Sequence, residues 1–418
     1  MFAPPDCIVA PRWAATSVLV ARLACLALLA AFVLAFAPPQ GCKRCAGAGE
    51  VACVACVKST CTWGTEPKPA DGAEKKPASV LDPARVAPRF CSLAAACTAC
   101  GGAGKVACKD CGREVSAQTS QRRAEIAAWL AEMQKIDAVV EGSPLHAASA
   151  HFRITWNIKQ IDAKGGSSMH GGMHVYLDRL EALYSDFLKD LSATDKDFCG
   201  ITHVMLWQTE KDQERASPVF TGQPSSTESK LMGKSPFVSI FYDKSHLHEE
   251  FELHQAMTHQ VAHCLLSNVF DGIWPGNIKG GWIDCGLAHA YEVRYFGEVR
   301  HYCYVEQDTL QTFQFGRWEQ AVLSGVQNGK EVRFLGVTGK HTTELTPEEH
   351  MYAWSYVDYL LRAHPAQFAA IAKGVKARKP YAELLQSTVG MGLGEFQDAW
   401  AKWVRATYSP KKAPKPAR

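Results

Sequence analysis

Hydrophobic and polar positions along this chain repeat in blocks whose period changes, and the changes mark its elements. Ile126, Trp129, Leu130, Met133, Ile136 and Val140 recur at three- and four-residue spacing within 120–141, which predicts a spacer or packing helix ended by Gly142-Ser143-Pro144. Residues 151–158 alternate as a strand, and Leu177, Leu180, Leu183, Phe187 and Leu191 then line one face of a helix. Strands are expected at 203–207 and 237–242. Residues 250–267 read as a helix with Phe251, Leu253, Ala256, Val261, Leu265 and Leu266 as apolar surface. A Gly/Pro-rich loop, 270–281, leads to a second helix that begins at Trp282. Thr346-Pro347-Glu348-Glu349 is a helix start, with Pro at the first helical position and Glu at N3, and further helices run to Trp403. Residues 165–172 read as a flexible loop and lack the Lys-Ser/Thr that a phosphate cradle needs.

One block has no period. Residues 23–37 are all apolar or small, with Arg12 and Arg22 before them, which predicts an export signal and a cell-envelope address. Ala35-Phe36-Ala37 resembles a cleavage site, but Pro38 disfavours cleavage, so residues 1–41 read as a signal peptide or a signal anchor. Counted from Thr16, the span reaches the ~20 residues a bilayer requires, which makes the membrane a partner through this N-terminal helix. Among 418 residues, 47% are hydrophobic and 21% charged, so the rest is globular and of more than one unit. The net charge of +3 is too small to point to a nucleic acid, and the Lys/Pro tail, 409–418, reads as disordered.

Cysteine spacing adds the first chemistry. Cys42, Cys45, Cys53 and Cys56 recur as Cys97, Cys100, Cys108 and Cys111, with a GxG after Cys45 and after Cys100. Each C-x-x-C can offer two thiolates to one Zn²⁺, and glycines after such a knuckle let the backbone turn with its N–H groups facing sulfur. Residues 62–89, rich in Pro, Ala and Lys, read as a linker inserted between the copies. The alternative is a disulfide framework, since an exported chain meets an oxidising compartment and 16 is an even number; Cys61 and Cys91 flank the linker and are themselves a candidate pair.

The C-x-x-C-x-G-x-G pattern over 42–112 resembles the cysteine-rich zinc domain of DnaJ-type chaperones, although only the first knuckle of each copy carries GxG and no His-Pro-Asp J-domain signature is present. The resemblance implies a polypeptide or protein partner. It also implies a nested arrangement, Cys42, Cys45, Cys108 and Cys111 on one zinc and Cys53, Cys56, Cys97 and Cys100 on the other, with pairing inside each copy as the second choice.

Residues 257–263, Met-Thr-His-Gln-Val-Ala-His, place His259 and His263 one turn apart on one helix face, the spacing of an H-E-x-x-H zinc helix with Gln260 where the general base stands. Together with Trp282, Gly286 and Ala288 in the next helix, this resembles a thermolysin-like (gluzincin) metallopeptidase domain over about 150–408. The resemblance implies His259 and His263 as zinc ligands and Cys285 in the place of the glutamate ligand. A His₂Cys set is legitimate zinc coordination, as in peptide deformylases, but glutamine cannot accept a proton. Loss of a general base costs about 10²–10⁴ in rate. Glu249, Glu250, Asp284 and Glu292 are the nearby carboxylates, the first two more than two turns up the helix. Core histidines and a Cys285 and Cys264 that merely fill space are the plain alternative. His246, His248 and His254 read as a solvated loop and helix face.

The expected architecture is therefore α+β: an N-terminal membrane helix, a small zinc hairpin at 42–112 with a 62–90 insert, a helical spacer at 113–149, and a gluzincin-like domain at 150–408 with a mixed-sheet lobe and a helical C-terminal lobe. The expected function is that of a zinc-binding pseudopeptidase with a polypeptide partner, Gln260 standing at the degenerate base position. The alternative is a zinc hydrolase that draws its base from elsewhere.

Overall fold

The computed structural model describes residues 42–57, 90–95, 97–110, 114–159, 169–226, 228–232, 235–242, 247, 249–302 and 313–408. The expected membrane helix, the linker and the basic tail lie outside them. Among the described residues no helix is long and apolar enough to cross a membrane.

The fold is α+β, as expected. Its first unit is a two-stranded ribbon, β1 (Glu50–Ala52) against β3 (Lys105–Ala107), in which Val51 faces Val106. These are equivalent positions of the two cysteine repeats, so the copies meet about a local two-fold axis. The Cys53 N–H donates to Gly104 O at 2.8 Å and the Cys108 N–H to Gly49 O at 2.9 Å, the same bond made twice. Glu50 ties this ribbon to the helix α1 (Ala117–Asp137), accepting from the Ser116 N–H at 2.5 Å and the Thr119 hydroxyl at 3.0 Å. Ser116 is in turn the N-cap of α1, its Oγ accepting from the Thr119 N–H at 3.1 Å.

A six-stranded mixed sheet follows. Its order is β2 (Phe90–Cys91), β4 (Leu145–Ala148), β5 (Phe152–Asn157), β6 (Thr202–Trp207), β8 (Phe237–Phe241) and β7 (Ser229–Leu231). The centre, β5–β6–β8, is parallel, and both ends are antiparallel. Strand alternation sorts side chains to two cores. Ile154, Trp156, Val204, Leu206, Val238 and Ile240 face the main core with the helices α2 (Met169–Asp190) and α4 (Glu250–Asn268). On the other face, Met205, Trp207, Phe237 and Phe241 pack with Ile126, Trp129, Met133 and Ile136 of α1 and with Ala216 of α3 (Glu210–Thr221). The helix expected as a spacer or packing element is thus a packing helix that closes the second face of the sheet. Short β2, β4 and β7 carry too few residues to show a period and have no counterpart in the sequence reading. The loop expected at 165–172 is corrected in its second half, where α2 begins at Met169 and carries Gly171 and Gly172 in its first turn.

The C-terminal lobe is helical: α5 (Gly281–Phe296), α6 (Trp318–Asn328), α7 (Pro347–Ala363), α8 (Pro365–Lys376), α9 (Tyr381–Val389) and α10 (Leu393–Thr407). The expected capping box at Thr346 is present, with Pro347 at N1 and Glu349 at N3. Helix α5 lies against α4 on one side and α7 on the other. Gly286 permits this, because a Cβ there would sit 2.6 Å from Ala353 O and from Val357 Cγ2. The α4/α5 pair therefore stands where the sheet lobe meets the helical lobe. A buried lysine locks its end: Lys376 Nζ donates to Ser267 O, Val269 O and Asp271 O at 3.1, 2.6 and 3.1 Å, and pairs with Asp271 Oδ1 at 2.9 Å. These groups include carbonyls that the end of α4 leaves without helical partners.

Candidate metal centres

Helical spacing turns the rings of His259 and His263 toward one point on α4, with Nε2 atoms 3.1 Å apart. Two nitrogens on a tetrahedral zinc, each about 2.0–2.1 Å from the metal, are about 3.3 Å apart, so the pair fits a shared ion. The opposite ring atoms are held by carboxylates. His263 Nδ1 meets Asp284 Oδ1 at 2.8 Å, and His259 Nδ1 faces Glu292 Oε2 at 3.6 Å. Neither contact is an aligned hydrogen bond, but a carboxylate's charge beside Nδ1 favours the proton there and leaves Nε2 as the metal-binding lone pair.

Both carboxylates are committed. Asp284 Oδ2 accepts from Trp274 Nε1 at 2.8 Å and from the Thr342 hydroxyl at 2.6 Å. Glu292 also meets His289 Nδ1 at 3.3 Å and His301 Nδ1 at 3.0 Å, and His289 Nε2 continues to His350 Nδ1 at 3.0 Å. Burial alone would raise the Glu292 carboxyl, but the imidazoles of His259, His289 and His301 hold it well below the usual range. Asp284 and Glu292, weighed in the sequence as substitute bases, are thus engaged as partners of histidines. Glu250 is paired with Arg179 and accepts from Tyr176 OH at 3.0 Å.

Cys285 falls in one group with His263 and Asp284, their ligand atoms within 4.8 Å of one another, while His259 groups with His289 and Glu292 in the same way. His289, His301 and His350 were given no role in the sequence reading. The available signal was helical spacing, since His289 stands four residues after Cys285 and three before Glu292. Gln260 turns to the sheet edge instead: its Oε1 accepts from Lys230 Nζ at 2.8 Å, and its Nε2 donates to Glu228 Oε2 at 3.0 Å. The β7 segment thus holds both ends of the amide. His259, His263 and Cys285 have no exposed surface, and Gln260 is 5% exposed. Cys264 is buried against Phe237 O, and burial pushes its thiol up to about 12, the state of an inert space-filling cysteine. His254 lies between Tyr176 and Phe296 rather than on a solvated face, and burial pulls its imidazole well below the ordinary value.

The cysteine repeats form two further centres. Cys42, Cys45 and Cys108 make one group, and Cys53, Cys97 and Cys100 the other. This division is the nested one, between copies rather than within each. Cys111 and the side chain of Cys56, the expected fourth ligands, lie outside the described residues. All six described cysteines are free of disulfides. The Sγ–Sγ separations, 3.8 Å for Cys42–Cys108 and 3.6 Å for Cys53–Cys97, match the edge of about 3.8 Å between two thiolates on a tetrahedral zinc with bonds of about 2.3 Å. The turns have the required conformation, with Gly47, Gly49, Gly102 and Gly104 at φ +85°, +75°, +81° and +71°. Gly49 N–H points at Cys45 Sγ, 3.4 Å away, and the Cys100 N–H pulls the Cys97 thiol down to about 7. Both sets of three, like the histidine groups, are able to hold a metal ion.

No protein-family model matches this sequence, and no curated protein matches it.

Proposed function

We propose that this chain is a catalytically degenerate, zinc-binding peptidase-like protein, gluzincin in its core, that binds a polypeptide instead of hydrolysing one. The observation that carries the reading is the clamp on Gln260. The imidazole pair beside it is oriented for a metal, yet the residue at the base position cannot take up a proton and both of its amide ends are held by Lys230 and Glu228. Burial agrees with this. A catalytic zinc keeps a position open to water and substrate, whereas His259, His263 and Cys285 are closed off like ligands of a structural ion. Zinc would be held there by the His259/His263 pair, with Cys285 grouped beside His263, and in the ribbon by the two sets of cysteines, and it would supply cross-links that fix α4 to α5 and one repeat to the other.

Two features support a polypeptide partner. Strand β7 ends the sheet and pairs only with β8 among the described strands, an edge of the kind that an extended chain can join. Leu231 on that strand is 48% exposed. The cysteine ribbon adds the second feature, since its pattern resembles a module that binds polypeptides. The positively flanked apolar segment at 23–37 supports an envelope address.

The test uses the purified full-length protein, measured for bound zinc, for turnover of a generic peptide library and for binding of the same peptides. Bound zinc with binding but no turnover is the expected result. Turnover that His259→Ala abolishes would overturn the reading in favour of an active hydrolase.

A further inference from the structure

A third histidine-bearing cluster lies away from the α4/α5 centre. His170 and His174 stand one turn apart at the start of α2, with Nε2 atoms 2.9 Å apart, and Cys91 Sγ of edge strand β2 is 3.7 Å from His170 Nε2. The three ligand atoms lie within 4.8 Å of one another. On a tetrahedral zinc with bonds of about 2.0–2.1 Å to nitrogen and about 2.3 Å to sulfur, a nitrogen–sulfur edge is about 3.6 Å and a nitrogen–nitrogen edge about 3.3 Å, so the set is close to coordination geometry before any ion binds. Gly171 and Gly172 separate the two histidines inside the helix. Two glycines in a helical turn cost about 1 kcal/mol each relative to alanine, which a helix selected for stability alone would avoid. Cys91 is 2% exposed and is disulfide-bonded.

We propose that His170, His174 and Cys91 form a redox-gated zinc site, closed while Cys91 is in its disulfide and opened when that bond is reduced. A disulfide sulfur is a poor ligand and a thiolate a strong one, so the state of one bond decides whether the set counts two good ligands or three. The reductant is a dithiol. Its two S–H groups become a disulfide, and the protein disulfide takes up the two electrons and two protons to give two thiols. When zinc binds, the Cys91 thiol loses its proton to solvent and the ion is held by one sulfur and two Nε2 atoms, with a fourth position for water. A plain hydrogen bond between the two imidazoles is the competing account of the 2.9 Å contact, and it predicts no response to reduction.

The experiment counts zinc bound to the full-length protein before and after reduction with a phosphine, which cleaves disulfides without itself competing for the ion. The parent protein is expected to take up one further Zn²⁺ per chain on reduction, and the His170→Ala/His174→Ala variant to take up none. An equal gain in parent and variant, or no gain in the parent, overturns the proposal. Should the double variant fail to fold, Cys91→Ser keeps both imidazoles and gives the second reading. With Co²⁺ in place of zinc, the reduced parent should show a thiolate-to-metal absorption component that Cys91→Ser lacks, and identical spectra would overturn it equally.

Discussion

Replacing Asp284 with asparagine separates its role as an orienting charge from its bulk, because the two side chains have nearly the same size and no cavity results. One carboxylate oxygen faces His263 Nδ1 at 2.8 Å, and the other accepts from Trp274 Nε1 at 2.8 Å and Thr342 Oγ at 2.6 Å. Asparagine has a single acceptor oxygen for these two sides. If that oxygen stays with Trp274 and Thr342, the amide N–H₂ faces His263 Nδ1, moves the imidazole proton to Nε2 and blocks the metal-binding lone pair. If it turns to His263, the amide N–H₂ faces the indole N–H of Trp274, and a buried donor loses its acceptor. Either arrangement weakens the site, and loss of such a partner of a metal-binding histidine costs about 10–100-fold in affinity, or about 1.4–2.7 kcal/mol.

The assay is competition for zinc between the full-length protein and a chromophoric chelator, with His259→Ala/His263→Ala as the baseline that leaves only the cysteine centres. Asp284→Asn should bind at this site about 10–100-fold more weakly than the parent, with an unchanged circular dichroism spectrum. Equal affinity in parent and variant would show that Asp284 does not orient His263, and the account of the site would fail at its best-resolved contact.

Other expectations follow from separate contacts. In the ribbon, Cys42→Ser/Cys108→Ser should lose one metal per chain and Cys42→Ser/Cys53→Ser two, and the reverse result by elemental analysis would refute the nested division. Lys376→Met should destabilise the fold by about 2–4 kcal/mol in urea unfolding, because it orphans three carbonyls around the end of α4; a loss below about 1 kcal/mol would mean that water replaces the amine. His151 lies between Glu181 and Asp195, at 2.7 and 3.3 Å; desolvation would lower its imidazole, but the hydrogen bond and charge of Glu181 and the charge of Asp195 raise it. A raised folded pKa stabilises fully below the unfolded value of about 6.5 and is lost as pH rises through the folded value, so the melting temperature should fall across that window in the parent and not in His151→Ala. Gln260→Glu sets a carboxylate against Glu228 and should cost about 1–2 kcal/mol, which adding Glu228→Gln restores; additive effects in the double-mutant cycle would refute the contact.

The sequence made legible those parts of the fold whose periodicity is long enough to read. Helices α1, α2 and α4, the strand at Phe152–Asn157 and the cap at Thr346 all follow from spacing or from a local hydrogen-bond rule. The nested cysteine groups match the arrangement that the DnaJ-type resemblance implies, which the repeat alone leaves open between nested and within-copy pairing. What stayed hidden depends on contacts far apart in the chain. Nothing near Gln260 announces Lys230 and Glu228, 30 and 32 residues earlier. Asp284 and Glu292 look like candidate bases in one dimension, and only the approach of α4 to α5 turns them into partners of His263 and His259. The turn holding His170 and His174 was hidden by the glycines, which read as loop on propensity grounds although the helix begins among them.

These contacts define what position 260 does in this chain. Removing the base alone would leave a polar group in a closed site with nothing to bond, at a cost of about 1–3 kcal/mol. In this chain both ends of the Gln260 amide are satisfied by the Lys230 ammonium and the Glu228 carboxylate, so the position has become a bridge between α4 and the sheet edge. The two histidines, meanwhile, keep carboxylates on their Nδ1 atoms, a feature that a merely space-filling pair would not require. That combination is expected of a metal held as a cross-link between α4 and α5.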